Sequence, residues 1–279
     1  MTPSDIPAGM RLKEIAGWNQ TEADWKRFLD ASPQGCFVAE ADNKICGTVA
    51  TIVFENRFAW IGMVLVDPEY RSRGIGTALL ERAIEHLDSL KIPTLKLDAT
   101  PQGKPLYEKL GFVSEYEIER WVLRRGPAAQ PARDWPQGSQ TLAEHLFAAV
   151  LKADQPIFGA NRSFLLRSLD QHAPGFTLAV STDGQLRSYA LGRRGTIADH
   201  LGPWMAKDKD AAHEVLNTFL SRSRPDVFVD WVKTNMIAGD LLKSFGFAYS
   251  RSLTRMYRGT NDFPGQPDRL CAILGPEFG

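Results

Sequence analysis

The sequence predicts an α/β chain built as two tandem domains of one kind. Three observations carry this. Residues 63–80, MVLVDPEYRSRGIGTALL, read as a short buried strand, a glycine-containing turn and a helix. The string Leu106-Tyr107-Glu108-Lys109-Leu110-Gly111-Phe112 returns as Leu241-Leu242-Lys243-Ser244-Phe245-Gly246-Phe247, an offset of 246 − 111 = 135 residues. Between them, 126–140 reads GPAAQPARDWPQGSQ, rich in Pro, Ala, Gly and Gln and without periodicity, the composition of a linker. The chain therefore divides into residues 1–126, a linker over 127–140, and residues 141–279.

Taken in order, residues 10–16 read as a first strand. Thr21 is placed to cap a helix carrying Trp25, Phe28 and Leu29 on one face. Residues 36–40 and 45–54 predict antiparallel strands joined through Ala41-Asp42-Asn43-Lys44. A strand over 58–66 leads into the turn. The helix after it carries Leu80, Ala83, Ile84 and Leu87 at i, i+3, i+4, i+7. A strand over 94–99, a short helix over 105–110 ended by Gly111, and a strand over 112–123 complete the first half. The second half predicts helices over 141–152, 162–169 and 212–220. Its strands fall at 176–180, 186–191, 197–204 and 227–231, so the order of elements repeats as well.

Composition narrows the function. Lys plus Arg equals Asp plus Glu, 33 each, so no basic stripe asks for nucleic acid and no acidic tail for a basic partner. Cys36, Cys46 and Cys271 have no metal-ligand spacing and read as buried free thiols in a reducing compartment. The five histidines form no HxxxH or HxxE pair, so no metal site is expected. The first residues, MTPSDIPAGMRLKEI, contain no apolar core of a signal peptide, and no apolar run approaches about 18 residues. The expectation is a cytoplasmic protein without membrane or nucleic-acid partners.

The turn at 71–77 carries the chemistry. A strand–turn–helix of this form leaves backbone N–H groups converging at a helix N-terminus, which binds phosphate. Gly74 and Gly76 let oxygens approach the backbone, and Arg71 and Arg73 add positive charge. The GxxxxGK signature of a phosphate-binding NTPase loop is absent, and the dinucleotide pattern GxGxxG fails at Leu79. The longer string V-x-V-x-P-x-x-R-x-x-G-x-G-x-x-L-L instead resembles the pyrophosphate-binding motif of the GNAT N-acetyltransferase superfamily. The LYEKLGF segment at 106–112 resembles the one that closes the acetyl-CoA site there.

The resemblance implies two GNAT-like domains, each a mixed, mostly antiparallel sheet flanked by helices. It implies acetyl-CoA as co-substrate, held by the backbone of Val64, Leu65 and Val66 and by the loop Arg71, Ser72, Arg73, Gly74, Ile75, Gly76 and Thr77. Tyr107 stands at the position of the general acid, a phenol of pKa about 10 that stays protonated at neutral pH. Two departures matter. Thr100 stands where many relatives carry Asn; its hydroxyl can still bond the pantetheine. Trp60 stands where the histone-acetylating relatives carry a Glu base, which leaves Asp98, Glu55 or water as proton acceptor.

The second half departs further. Ala206-Lys207-Asp208-Lys209-Asp210 replaces the phosphate turn, with no glycine and two carboxylates that repel an anion. Leu242 replaces Tyr107. This half resembles the degenerate C-terminal domain of the YitH-like two-domain branch, and Asp154 with Phe158-Gly159-Ala160-Asn161-Arg162 has the look of that branch. The expectation is a monomer forming an internal pseudo-dimer. Its second half binds no coenzyme A, and Trp135, Asp154, Arg162, Trp231 or Asn235 wall the acceptor site. The implied activity is acetyl-CoA-dependent N-acetylation of a small amine or amino-acid-like acceptor by direct transfer. A non-catalytic acyl-CoA sensor and an acyltransferase with a longer acyl donor are the alternatives.

Overall fold

The computed structural model describes residues 1–126, 142–224 and 226–279. The predicted linker 127–140, with Trp135, lies outside the described residues. The chain opens on a helix, α1 (Ile6–Ile15), where the sequence predicts a strand at 10–16. The reason is periodicity over a longer window. Ile6, Gly9, Leu12 and Lys13 are the buried positions, three and four apart, whereas the alternation after Met10 is only local. Gly9 lets α1 approach the next helix, since a Cβ there would stand 2.8 Å from the Trp25 ring. In α2 (Glu22–Ala31), Thr21 and Asp24 form a capping box; the Thr21 amide donates to Asp24 Oδ2 at 2.7 Å.

The elements that follow are β1 (Cys36–Ala41), β2 (Lys44–Phe54), β3 (Phe58–Val66), α3 (Ile75–Ser89), β4 (Thr94–Ala99), α4 (Lys104–Lys109) and β5 (Val113–Leu123). After them come α5 (Glu144–Phe158), α6 (Ser163–His172), β6 (Leu178–Thr182), β7 (Gln185–Arg194), β8 (Asp199–Ala206), α7 (Lys209–Arg222), β9 (Val227–Val232), α8 (Met236–Ser244), β10 (Ala248–Gly259) and β11 (Leu270–Ala272).

These elements form two compact units that are not contiguous in sequence. Unit 1 comprises Met1–Glu115, Thr254–Phe263 and Pro276–Gly279; unit 2 comprises Tyr116–Leu253 and Pro264–Gly275. The contiguous division at residues 126 and 141 differs from this because the two halves exchange their last strands. In unit 1, residues 254–259 of β10 lie antiparallel to β4, with Arg255 opposite Asp98. In unit 2, residues 118–123 of β5 lie antiparallel to β9, with Arg120 opposite Asp230. Arg120 and Arg255 are 135 residues apart, the repeat offset. Strand pairing satisfies backbone groups irrespective of which half supplies the strand, so two similar strands can trade places.

The sheet of unit 1 runs β1-β2-β3-β4-β10, antiparallel except for the parallel β3–β4 pair. Its α3 face buries Leu80, Ala83 and Leu87 of the helix on Ala59, Ile61, Leu95, Leu97 and Met256. The sheet of unit 2 runs β6-β7-β8-β9-β5, with the short β11 set between β8 and β9. There Ala212, Val215, Leu216 and Phe219 of α7 bury on Ala190, Leu201 and Val229.

Candidate active site

In unit 1 the parallel strands β3 and β4 pair only at Ala59 with Leu95 and Trp60 with Lys96. Beyond that they part, leaving a V that opens toward Val66 and Ala99. A bulge re-aims β3 inside the V. Thr48 faces Leu65 and Ala50 faces Gly62, so Val49 alone opposes Met63 and Val64. Met63 takes φ +55°, and Thr48 Oγ1 donates to its carbonyl at 2.8 Å. A bulge interrupts the ladder and turns the strand. It shifts Val64 and Val66 onto the α3 face, where they pack with Leu106 and Tyr107 against one core. Among the described residues, no strand pairs with 64–66 across the V.

At the mouth of the V stands the turn. Asp67 starts it: its carboxylate accepts from Arg11 at 2.6 Å and from the Glu69 amide at 3.2 Å, with Lys44 at 3.4 Å. The Arg11 bond leads in holding this carboxyl below its usual range. Arg73 stacks over the Tyr70 ring at 5.1 Å, and Arg71 Nε donates to the Val66 carbonyl at 3.2 Å. Residues 71–74 are exposed, and Ile75, Gly76 and Thr77 are half-buried. Gly74 is the N-cap of α3 at φ +80°, a conformation that favours glycine, and no side chain caps the helix. The Ala78 amide donates to the Gly74 carbonyl at 2.9 Å, so the amides before it face the mouth. Gly76 differs from Gly74. A Cβ there would lie 3.7 Å from Val66, an ordinary contact, so the fold itself does not require glycine at that position. The space it leaves is available to a ligand.

Tyr107 lies on α4 with its ring edge-on to Phe112, centroids 6.1 Å apart. Burial pushes its phenol up to about 12. Gly103 makes room for this ring, since a Cβ would come within 2.9 Å of Tyr107 Cε2. Thr100 Oγ1 accepts from the Gly103 amide at 3.2 Å, which leaves the hydroxyl proton to donate.

Asp98 and Trp60 lie on the face of the sheet opposite α3. Arg255 holds both Asp98 oxygens, at 2.9 Å each, and its guanidinium stacks 4.5 Å from the Trp60 ring centre. The positions where Asp98 would take a proton are therefore occupied, and the arrangement gives it the task of placing Arg255. Glu55 sits in the β2–β3 turn, 3.5 Å from Arg57. That is the end of β3 away from the phosphate turn, about 20 Å from the bulge at a strand rise of about 3.3 Å per residue.

Unit 2 repeats the frame with other contents. Ala190 faces Trp204 and Gly192 faces Leu201, so Leu191 alone opposes Gly202 and Pro203, the same bulge. Strands β8 and β9 pair only from Asp199 to Leu201 before parting. Here, however, β11 lies in the gap. Leu270 pairs with Met205, and Ala272 pairs with both Trp204 and Trp231. At the mouth, Asp208 caps α7, accepting from the Ala211 amide at 3.0 Å, and Arg187 pairs with it at 2.5 Å. The capping amide and then Arg187 hold this carboxyl below its usual range. A protein carboxylate thus caps this helix where α3 has no side-chain cap. Leu242, in place of the tyrosine, is fully buried.

The residues expected to wall an acceptor site serve unit 2 internally. Arg162 binds Asp154 through two bonds at 2.8 and 2.9 Å, and Tyr189 donates to the same carboxylate at 2.7 Å. Asn235 caps α8 and donates to the Asp268 carbonyl at 2.9 Å. Trp231 Nε1 donates to the Asn235 carbonyl at 2.9 Å. Arg162, Asp154 and Asn235 are each 1% exposed, which removes them from a substrate-facing wall.

Comparison with known proteins gives the class. The acetyltransferase (GNAT) family profile matches residues 10–112, and an acetyltransferase (GNAT) domain profile matches residues 150–272. The chain belongs to the GNAT acetyltransferases, as a tandem of two such domains, and is an acyltransferase enzyme. It is 27% identical to holothin acyltransferase of Pseudoalteromonas sp. over 94% of this chain and 87% of that one. It is also 27% identical to the uncharacterised N-acetyltransferase YitH of Bacillus subtilis over 85% and 83%. A crystal structure from Pyrococcus horikoshii, assigned to the acetyltransferases, superposes with a TM-score of 0.80 at 24% identity, covering 100% of this chain and 94% of that chain. A GCN5-related N-acetyltransferase from Sphaerobacter thermophilus superposes at 0.66 with 19% identity over 93% and 94%. Among the described residues there is no group of three or more side chains arranged to hold a metal, and no helix is long and apolar enough to cross a membrane.

Proposed function

We propose that unit 1 transfers an acetyl group from acetyl-CoA to the nitrogen of a small amine by direct attack. The observation that carries the reading is the unfilled V between β3 and β4, set above an uncapped helix N-terminus and beside a protonated tyrosine. The amides at the start of α3, with Arg71 and Arg73, suit a pyrophosphate; Gly76 leaves room for its close approach. The backbone of 64–66, released from the ladder on the β4 side, suits an amide-bearing pantetheine arm, and Thr100 can donate to it. Tyr107 supplies the proton. As the amine nitrogen bonds to the carbonyl carbon, the C–S bond breaks and the sulfur takes the phenolic proton. The amine's surplus proton leaves to water, and Tyr107 is reprotonated from solvent. Arg255, held by both oxygens of Asp98 and stacked on Trp60, shapes the acceptor side of the V.

A second reading keeps the site and lengthens the donor, and the name acyltransferase carried by the Pseudoalteromonas relative favours it. We take the protein to work as a cytoplasmic monomer. Calorimetric titration with acetyl-CoA tests the reading. One equivalent per chain is expected, with affinity weakened more than about tenfold by Gly76→Asp, which sets a carboxylate against the phosphates. No binding, or two equivalents, overturns it. Thiol release across a panel of amines and acyl-CoAs then separates the donors and distinguishes an enzyme from a sensor.

A further inference from the structure

A bulge takes peptide groups out of the regular ladder, and in unit 1 a side chain catches one of them. Thr48 lies on β2 opposite Leu65, the residue that follows the bulge pair Met63 and Val64. It is fully buried, and its Oγ1 donates to the Met63 carbonyl at 2.8 Å. Met63 is itself buried and holds φ +55°, a left-handed conformation uncommon outside glycine. Such a conformation persists only where neighbours impose it, and the Thr48 bond is one such constraint. A trans peptide points its C=O and its N–H in opposite directions. The Met63 carbonyl is drawn toward β2. The amide of Val64, the other half of the same peptide unit, is therefore aimed away from β2, into the gap on the β4 side. The Val64 side chain packs in one cluster with Tyr107, so the aimed amide and the phenol serve the same part of the V.

Unit 2 has neither half of this arrangement. Ala190 faces Trp204, the residue after the bulge there, as Thr48 faces Leu65, and it carries no hydroxyl. The bulge pair is Gly202 and Pro203, and a proline in the place of Val64 has no N–H to aim. The hydroxyl and the amide thus occur together in the unit whose V is open.

We infer that Thr48 is a positioning residue for acyl transfer: by holding the Met63 carbonyl it aims the Val64 amide at the oxygen of the bound thioester. The inference rests on the acyltransfer reading and supplies the group that takes up charge in it. As the amine nitrogen bonds to the carbonyl carbon, an electron pair moves onto the carbonyl oxygen, which accepts from Val64 N–H. When the pair returns, the C–S bond breaks, the sulfur takes the Tyr107 proton and the nitrogen gives its surplus proton to water. A donor fixed in place beforehand stabilises that charge without reorganising.

Infrared difference spectroscopy tests this, with acetyl-CoA isotopically labelled at the thioester carbonyl and bound to the full chain without acceptor. Thr48→Val keeps the side-chain shape and removes the hydroxyl. Its C=O band is expected at higher wavenumber than in the unaltered chain, and Thr48→Ser, which keeps the donor, restores it. Coenzyme A affinity should agree within about threefold among the three proteins, since coenzyme A has no carbonyl at that place. Thiol release with the fastest-reacting amine of the panel should slow at least about tenfold in Thr48→Val. In the unaltered chain the Val64 amide proton, followed by nuclear magnetic resonance, should move farther downfield with acetyl-CoA than with coenzyme A. A band unmoved in Thr48→Val, with only a lowered melting temperature, overturns the inference. So does a Val64 amide that responds equally to the two ligands, a reading that needs no variant and decides the matter should Thr48→Val fail to fold. Coenzyme A failing to bind the unaltered chain counts against the acyltransfer reading instead.

Discussion

The two units hold the same V between parallel strands, and the chain leaves one open and fills the other. In unit 1 the residues after the bulge, 64–66, face a gap that no described strand occupies. In unit 2 the corresponding stretch of β8 pairs with β11. The mouths differ in the same sense. Gly74 starts α3 without a side-chain cap, whereas Asp208 caps α7 with its own carboxylate. Losing a ligand site leaves backbone donors and acceptors exposed to a dry interior, and these must be satisfied. Unit 2 fills with its own groups, a strand and a carboxylate, the two places where the proposed reading seats a pantetheine and a phosphate. Degeneracy here is replacement, group for group.

The largest expected effect concerns the tyrosine present in one unit only. Tyr107→Phe keeps the ring and removes the proton. It should lower kcat about 10²–10⁴-fold with acetyl-CoA affinity nearly intact. The reciprocal change, Leu242→Tyr, should add no turnover, because β11 still fills that V. Turnover within about threefold of normal in Tyr107→Phe would remove the assigned role and most of the contrast between the units.

The exchanged strands give a second pair of variants. Arg255→Met takes the guanidinium from the buried Asp98 carboxylate, and Arg120→Met takes it from Asp230, which keeps His200. Both pairs are buried, so each change should cost about 3–5 kcal/mol in denaturant unfolding. Only Arg255→Met should also raise the acceptor KM. Equal kinetic effects from both would show that the Asp98 pair has no task at the site beyond folding.

Much of this was legible in the residues. The strand, the two glycines and the helix at 63–80 are local, and local spacing reports them well. The repeat of LYEKLGF by LLKSFGF revealed the second domain and the loss of its tyrosine. The strand exchange was not legible, because Arg120 and Arg255 occupy equivalent places and each finds an Asp in either arrangement. The strand that fills the gap of unit 2 was missed for another reason. Leu270-Cys271-Ala272-Ile273-Leu274 is an apolar run bounded by Arg269 and Gly275, and that signal could have marked a buried strand. Nothing in it says which gap the strand fills. Asp98 looked available as a base since its partner Arg255 is 157 residues away. The strand predicted at 10–16 failed because a short alternating stretch was read without the helical spacing that begins at Ile6.

The β11 strand can itself be loosened. Leu270 is 3% exposed, and Leu270→Ala should cost about 2–5 kcal/mol through lost burial and an unfilled cavity. The acetyl-CoA stoichiometry should stay at one, because Asp208 still closes the mouth of unit 2. A second equivalent appearing in this variant would mean that β11 alone blocks that site.

The smallest expected effect separates the units by pH. His200 on β8 occupies the register position that Trp60 holds on β3: Trp60 pairs with Lys96, His200 with Phe228. His200 is fully buried, with Nε2 3.0 Å from Asp230 and Nδ1 3.1 Å from Arg193. Burial lowers its pKa below the ordinary value, and Arg193 and Arg120 act in the same direction against the pull of Asp230. Asp230 is pushed up by burial, but Arg120 and His200 overcome this and hold it below the usual carboxylate range. Both shifts have one consequence. The unfolded chain binds protons that the folded unit refuses, so stability is present at neutral pH and declines with acid, first below about 6.5 as unfolded histidine charges. The slope is at most about 1.4 kcal/mol per pH unit for one proton. Hydrogen exchange of the β8 amides, corrected for intrinsic rates, should show protection falling between pH 7.5 and 5.5. The β3 amides, with an indole at that place, should hold theirs. His200→Asn should flatten the β8 response. Equal losses in β3 and β8, or an unchanged response in His200→Asn, would place the acid sensitivity elsewhere in the chain.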